Sequence, residues 1–289
     1  MFAVKKGELR VFLKTLLKMR NIQVSQLESL LPDDSDLCEG FDTCPASRLW
    51  YFVLMSDVPH TLANFSSALR EARNSVLRMA SIAEQNLENA VRGLLTRNSE
   101  LCNEAIVEDD EVNNLERRID ADSFEILMRY NPVASDLREV IAGMKVANNL
   151  ERVSDEAQNI ARRARKILKH PELDGVAMVE PIYEKALSIY RDALKSYAEG
   201  DNELGLSLYE RDRKLDKAHN DLIKGLTKRM DSDAVKVKPY LHLVFIVRSL
   251  ERVGDHAVNI AEDGIFLESA ADVRHLGPEK AAEEIEAAN

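Results

Sequence analysis

Hydrophobic residues recur every three or four positions from residue 62 onward, which is the period of amphipathic helices packed on a core. The first stripe runs from Phe65 to Leu94. Similar stripes follow between short polar breaks, and together they predict helices at about 62–94, 100–130, 132–169, 176–199, 202–230 and 238–268. Long helices joined by short loops predict an all-α fold of two tandem antiparallel three-helix bundles.

Capping and turn-forming residues set the ends of these helices. Ser99 is the expected N-cap of the second helix, because a serine hydroxyl accepts hydrogen bonds from free backbone amides. The Asn131-Pro132 pair ends that helix, since proline disfavours a helical residue before it, and Pro132 is suited to open the next helix. We therefore expect tight connections between neighbouring helices.

A thirteen-residue segment occurs twice, 100 residues apart. Residues 149–161 read NLERVSDEAQNIA and residues 249–261 read SLERVGDHAVNIA, with nine of the thirteen positions identical. This period is too long for a solenoid unit of roughly 20–50 residues. The chain therefore contains two duplicated halves, each with the same polar pattern on its last helix.

The duplication also suggests domain boundaries. The two halves are expected at residues 62–170 and 171–270. Residues 1–61 have no counterpart in either half, and we expect a small or poorly ordered extension there. The acidic tail at 271–289 is rich in alanine and glutamate and is expected to fray.

Paired carboxylates are the main candidate chemistry. On a helix, acids four residues apart lie on one face, here well off the apolar stripe. Neighbouring helices of a bundle bring such pairs together, and oxygen-only ligation suits Mg, Ca or Mn, while carboxylate bundles also hold iron. The positions concerned are Glu151 with Asp155, Glu251 with Asp255, Asp212 with Asp216, and Asp109 with Asn113.

A second interpretation of these acids is a solvated helix face without metal. Like charges four residues apart cost a few tenths of a kcal/mol on a helix, so they need compensation. Basic neighbours such as Arg152 and Arg162 supply it in the first half. A metal-free helical adaptor therefore stays open as an alternative.

Composition narrows the class of protein. The net charge of -11 argues against duplex nucleic acid as a partner, because such binding needs a basic surface. Three cysteines give no disulfide framework, which favours a reducing cytoplasm. No apolar run approaches the roughly 20 residues of a membrane span, and the basic amino terminus lacks the features of a signal peptide.

The segments LERVGDHAVNIA and PVASDLR, at 250–261 and 132–138, closely resemble the PhoU family of phosphate-signalling proteins. The resemblance covers roughly residues 62–268. It implies two three-helix bundles with multinuclear metal sites built from acid-xxx-Asp motifs on the bundle surfaces. It also implies negative regulation of phosphate uptake and of the phosphate-starvation response. The implied partners are a phosphate ABC transporter and its sensor histidine kinase.

The resemblance further implies two metal sites, one in each half. Asn113 stands where the family motif has aspartate, and Ser154 and Glu156 replace the glycine and histidine seen at 254 and 256. The implied ions are divalent or trivalent, with iron, manganese, magnesium and zinc as candidates. The implied ligands are Asp109, Glu151 and Asp155 in the first site, and Asp212, Asp216, Glu251 and Asp255 in the second.

We expect a non-enzymatic protein without catalytic residues or an organic cofactor. The chain has neither a GxxxxGK[ST] phosphate loop nor a GxSxG nucleophile elbow. His219 is expected to be a partly exposed helical histidine rather than a general base. We also expect a homodimer in the cytoplasm, held at the inner face of the membrane through its partners. The enzymatic alternative is a metal-dependent hydrolase that uses the same carboxylates.

Overall fold

The computed structural model describes the backbone of residues 45–232, 236–274 and 276–288, and within these ranges it describes the side chains of residues 63–230, 236–274 and 276–288. The chain divides into two units, residues 1–61 and 62–289, and the fold described below is that of the second unit. The expected small or poorly ordered extension at residues 1–61 lies largely outside the described residues, and the domain boundaries stay a prediction.

Most of the described residues are helical, and none of them lies in a β-strand. Part of α1, α2, α3 and α4 build the first bundle, α5, α6 and α7 build the second, and α8 follows. The predicted all-α fold of two tandem three-helix bundles is confirmed. The helices are α1 (Pro45–Leu95), α2 (Ser99–Val107), α3 (Asp109–Tyr130), α4 (Ala134–Ile167), α5 (Glu180–Glu199), α6 (Asn202–Ser232), α7 (Val237–Ser269) and α8 (Pro278–Ala288), with a 3₁₀ turn at Val176–Val179.

The last helices of the two bundles, α4 and α7, pack against each other along their length. They run antiparallel, since Lys145 near the start of α4 lies 3.4 Å from Asp263 near the end of α7. At the opposite end, the Arg163 guanidinium lies 3.9 Å from the centre of the Phe245 ring. One apolar core continues through both bundles, so the two copies of the repeated segment lie back to back across it.

The apolar stripe of each repeated segment is buried as predicted. Leu150 and Val153 of α4, and Leu250 and Val253 of α7, are fully buried. Burying such a side chain contributes roughly 1.5–3 kcal/mol of transfer free energy. Because the stripe faces the core, the polar positions between these residues are directed toward neighbouring helices and solvent.

The start of the second predicted helix differs from the expectation. Asn98, not Ser99, is the N-cap, and its side-chain oxygen accepts hydrogen bonds from the backbone amides of Glu100 and Leu101. Ser99 is instead the first helical residue. The predicted helix at 100–130 is also divided at Glu108, where the backbone makes a short-range bond from Glu111 N to Glu108 O of 3.0 Å. This break places Asp109 at the start of α3.

The expected fraying of the tail is wrong for most of its length. Residues Pro278–Ala288 form α8, and Ala281 and Ile285, one turn apart, are both buried. They pack with Ile265, Ala271 and Val273 in a small separate apolar cluster. The alanine-rich composition gave little sign of this short amphipathic helix, because its buried face consists of only two residues, Ala281 and Ile285. Within the described part of the chain, no helix is long and apolar enough to cross a membrane.

Candidate metal centre

The second-half acids lie where α6 and α7 approach each other closely. Gly254 makes this approach possible, because a Cβ atom at that position would overlap Cδ2 of Leu215 and lie 3.0 Å from Oδ1 of Asp212. Leu215 is fully buried between the helices. The glycine thus places the carboxylates of the two helices within reach of one another.

Three of these carboxylates form a compact group. Asp212 and Asp216 of α6 and Asp255 of α7 each offer one oxygen, and these oxygens all lie within 4.8 Å of one another. Among the residues described, this is the one group of three or more His, Cys, Asp or Glu side chains with such spacing. Two oxygens bound on opposite sides of one cation are about 4–5 Å apart, so the spacing fits a single ion.

The electrostatics of the group reflect its crowding. Burial, followed by the charges of Asp216, Asp255 and Glu251, raises the pKa of Asp212 to about 7. Burial of its carboxyl group, followed by Glu251 and Asp216, raises the pKa of Asp255 to about 6, although the residue as a whole is exposed and Arg252 acts in the opposite direction. Like charges held this close favour either a proton or a cation between them.

A test of the fit to metal comes from one buried atom. Oδ1 of Asp212 is buried and has no hydrogen-bond partner among the described residues. An unsatisfied buried carboxylate oxygen is costly, and a cation would satisfy it. The donor set contains only carboxylate oxygens, which suits hard cations such as Mg²⁺, Mn²⁺ or Ca²⁺ and high-spin iron. The residues therefore fit a metal ion.

The first-half acids have different surroundings. Asp109, at the start of α3, is only 4% exposed, so its carboxylate is buried between α3 and α4. Its Oδ1 accepts a hydrogen bond from the Ser154 hydroxyl at 2.8 Å. Its Oδ2 accepts from Gln158 Nε2 at 2.8 Å and from Asn113 Nδ2 at 3.2 Å. Burial raises the pKa of Asp109, whereas the bond from Ser154 lowers it.

The other two first-half acids are associated with an arginine. Arg152 Nε lies 3.3 Å from Glu151 Oε2, and Arg152 Nη1 lies 3.5 Å from Asp155 Oδ2. The contact to Glu151 lacks hydrogen-bond geometry, since its buried Oε2 has no hydrogen-bond partner among the residues described. Burial first and Asp155 second raise the pKa of Glu151. Asp109, Glu151 and Asp155 do not form a group with the 4.8 Å spacing found in the second half.

Several residues important to this geometry were not predicted from the sequence. Gln158 binds Asp109, and Glu156 forms a 2.5 Å ion pair with Arg252 across the α4–α7 contact. A signal existed in the repeat, because the copies differ at 154, 156 and 158, and each of these side chains contacts either an acid or an arginine. The differences at 154 and 156 are visible in the sequence as departures from the motif, but the contact partners of these residues depend on helix packing.

A polar cavity of about 470 Å³ lies between α3, α4, α7 and the chain after α7. None of the predicted metal ligands lines it. Its walls combine acids with amides and two cations, and Lys145 and the buried Asp263 pair within it. The cavity is therefore separate from the carboxylate group of the second half.

Comparison with known proteins gives a consistent result. The family model described as the PhoU domain matches residues 76–164 and again 179–264. These two matches correspond to the two bundles. The duplication seen in the sequence is thus a duplication of this domain.

Relatives from several bacteria carry the name phosphate-specific transport system accessory protein PhoU or its homolog. The Pseudomonas aeruginosa relative is 35% identical over 228 residues, covering 78% of this chain and 94% of the relative. The Serratia marcescens relative is 32% identical over 218 residues, covering 75% and 90%. The similarity therefore spans nearly the whole of both relatives.

Solved structures agree with the sequence relatives. PhoU from Pseudomonas aeruginosa superposes with a TM-score of 0.68 at 35% identity, covering 70% of this chain and 98% of that one. The phosphate transport system regulatory protein PhoU from Streptococcus pneumoniae gives a TM-score of 0.66 at 24% identity, covering 71% and 97%, which supports the fold alone. With both bundles matched in sequence and in structure, this chain belongs to the PhoU family.

Proposed function

We propose that the protein is a non-enzymatic regulator that restrains phosphate uptake and the phosphate-starvation response. It acts from the cytoplasmic side on a phosphate ABC transporter and on a sensor histidine kinase. The observation that carries this proposal is the match of both repeats to the PhoU domain. Relatives matched over more than four fifths of their own length are named as accessory proteins of phosphate-specific transport, which supports it.

We further propose that the second-half carboxylates bind a metal ion. Asp212, Asp216 and Asp255 are the ligands, and Glu251 adds negative charge beside them. The buried, unpartnered Oδ1 of Asp212 supports this assignment. A bound ion links α6 to α7, so it fixes the surface that these two helices present to a partner.

Regulation by such a protein requires only differential affinity. If the bundle binds one state of the transporter or kinase more tightly than the other, it shifts the partner toward that state. The metal contributes by holding one arrangement of α6 and α7. A catalytic step is not needed. Assembly of two copies into a homodimer stays a prediction. Light scattering of the purified protein tests it by measuring the molar mass in solution.

The regulatory proposal is tested in a deletion strain that carries a phosphatase reporter. In phosphate-rich medium the deletion is expected to switch the reporter on, and the full chain is expected to switch it off again. The double variant Glu251→Ala/Asp255→Ala is expected to complement poorly. A matched control, Glu283→Ala/Glu284→Ala, removes two exposed acids of α8 and is expected to complement fully.

The outcomes separate the proposals. Reporter output that does not change on deletion contradicts the regulatory role. Full complementation by Glu251→Ala/Asp255→Ala contradicts a role for the carboxylate site and leaves a metal-free adaptor. Hydrolysis of phosphate esters by the purified protein, lost in the same double variant, would instead favour a metal-dependent hydrolase.

A further inference from the structure

We infer that only the second repeat binds metal, and that the first repeat has replaced its metal by hydrogen bonds from its own side chains. This inference rests on the metal site of the proposed function and assigns a role to Ser154, Gln158 and Asn113, which hold the carboxylate of Asp109. The two halves of the protein would then have different chemistry despite their common origin.

The donors to Asp109 have no counterparts in the second half. The repeat aligns Ser154 with Gly254 and Gln158 with Val258. Neither glycine nor valine has a side-chain donor, so both hydrogen bonds at 2.8 Å are missing around Asp212.

The third donor differs in the same direction. On the 103-residue offset that relates Asp109 to Asp212, Asn113 corresponds to Asp216. The Asn113 amide donates a hydrogen bond to Asp109, whereas the carboxylate of Asp216, at the corresponding position, repels the carboxylate of Asp212. Asp109 has three neutral donors, whereas Asp212 Oδ1 has no hydrogen-bond partner among the described residues and lies among like charges. The first half also has a buried carboxylate oxygen without a hydrogen bond, Oε2 of Glu151, but the Arg152 guanidinium lies 3.3 Å from it.

A polar chain behind Ser154 sets the direction of its hydrogen bond. The fully buried Asn86 donates from Nδ2 to Ser154 Oγ at 3.2 Å. The serine hydroxyl therefore accepts from Asn86 and gives its own proton to Asp109 Oδ1. The same offset relates Asn86 to the buried Ile189, so this second layer is also confined to the first half.

The arginine of the repeated segment is placed differently in the two halves. In the first half, Arg152 contacts both Glu151 and Asp155 and so supplies a protein cation. In the second half, the corresponding Arg252 is drawn to Glu156, a buried carboxylate 2.5 Å away. The position corresponding to Glu156 is His256, which cannot draw Arg152 away from its acids in the same manner.

Together these contacts oppose a metal in the first half. A metal that binds Asp109 must break hydrogen bonds to a buried carboxylate and displace Arg152 from its two acids. It also receives one negative charge fewer, because Asn113 stands in place of an aspartate. Among the residues described in the second half, Oδ1 of Asp212 has no hydrogen bond that a metal would have to break.

The test is Mn²⁺ binding to the purified full-length chain, followed by native mass spectrometry and electron paramagnetic resonance. The wild-type protein and Asp155→Asn are expected to bind the same amount of Mn²⁺ with the same affinity. Asp255→Asn is expected to lose at least about tenfold in affinity. Circular dichroism melting checks that each variant is folded.

A gain-of-function variant tests the assigned residues directly. The triple change Asn113→Asp/Ser154→Gly/Gln158→Val gives the first half the residues of the second. In an Asp255→Asn background it is expected to restore Mn²⁺ binding by about tenfold or more. Gln158→Val alone is the second variant, expected to give a smaller gain and useful if the triple variant does not fold.

Each outcome is decisive. Loss of Mn²⁺ in Asp155→Asn equal to that in Asp255→Asn, with the wild type loaded in both halves, overturns this inference and leaves the proposed metal site intact. A wild-type protein that binds no Mn²⁺ overturns both. Folded first-half variants that gain no Mn²⁺ show that the hydrogen-bond network is not what excludes the metal.

Discussion

At the scale of single residues, the repeated segment separates two kinds of position. Leu250 is fully buried in the common core, whereas Glu251, its neighbour, is directed toward the crowded surface between α6 and α7. The first contributes by removing apolar surface from water, and the second by its charge. Adjacent residues of one helix therefore contribute separately to folding and to binding.

Substitution of these two neighbours is expected to change the free energy of unfolding by very different amounts. Leu250→Ala is expected to lower the free energy of unfolding by roughly 2–5 kcal/mol, because it leaves a cavity in the core. Glu251→Ala is expected to change it by less than about 0.5 kcal/mol, or to raise it, since a repelling charge is removed. Urea denaturation of the metal-free proteins measures both. An equally large loss in Glu251→Ala would mean that this carboxylate holds the bundle together.

The sequence pattern correctly predicted which positions of the repeated segment are buried and which are polar. It did not predict which acids lie close together. The 3.6-residue period was sufficient to place Leu150 and Leu250 in the core. It did not show that Asp109 is buried under three donors, because those donors come from two helices and their alignment depends on the packing of α3 on α4. Periodicity gives the face of a helix, whereas the distance across a helix pair depends on side-chain size.

At the scale of helices, Gly254 decides how closely α6 and α7 pack. The space that a side chain would fill there is occupied by Leu215 and by the Asp212 carboxylate. The counterpart Ser154 is accommodated in the first half, where its hydroxyl bonds to Asp109 instead of clashing with it. The equivalent helix pairs of the two halves therefore pack differently. The α6–α7 contact depends on a glycine, whereas the α3–α4 contact includes a hydrogen bond from a serine.

The substitution Gly254→Ala is expected to destabilise the protein by about 1–3 kcal/mol, because the new methyl group overpacks the contact. It is also expected to weaken Mn²⁺ binding, since Asp212 must move. Thermal melting and a Mn²⁺ titration measure the two effects.

Gly225→Ala is the matched control, because the added Cβ would meet nothing closer than Met178 Cε at 3.6 Å. It lies within α6, where alanine is favoured over glycine by about 0.5–1 kcal/mol. A stabilised Gly225→Ala beside a destabilised Gly254→Ala locates the effect at the contact. Equal gains in both variants would contradict the role of Gly254 in spacing the helices.

Helix boundaries could be predicted only approximately, for physical reasons that specific residues illustrate. Asn98 rather than Ser99 caps α2. The N-cap is the last residue before the helix with a non-helical backbone, and here that residue is Asn98, with φ −99° and ψ 108°. The tail helix α8 was missed because Ala281 and Ile285 bury little area, and what they contact lies elsewhere in the sequence. The predicted bounds of α6 and α7, at 202–230 and 238–268, differ from the observed ones by at most two residues, whereas α1 begins at Pro45 rather than near residue 62.

At the scale of the whole molecule, the two bundles share one core while their polar surfaces differ. The proposed metal of the second half would connect α6 to α7, and both helices pack into that common core. The stabilisation from such a ligand follows its concentration relative to Kd and amounts to about 2.7 kcal/mol at one hundred times Kd. Binding at one surface is therefore measurable as stability of the folded unit.

Addition of Mn²⁺ to the metal-free protein is expected to raise Tm by several degrees, with the increase growing with concentration. Asp255→Asn should remove most of this increase, and Glu283→Ala/Glu284→Ala should leave it unchanged. Differential scanning calorimetry measures the shifts. An increase that persists in Asp255→Asn would place the stabilising ion elsewhere.

The ion pair between Glu156 and Arg252 determines what happens when one repeat is replaced by a copy of the other. It joins a position that differs between the copies to one that is the same in both. A chimeric chain with two second-type repeats would place a histidine opposite each arginine and lose the buried pair. A chain with two first-type repeats would set a glutamate opposite each arginine. The halves have become complementary parts, and neither can now substitute for the other without changing the charge at their common boundary.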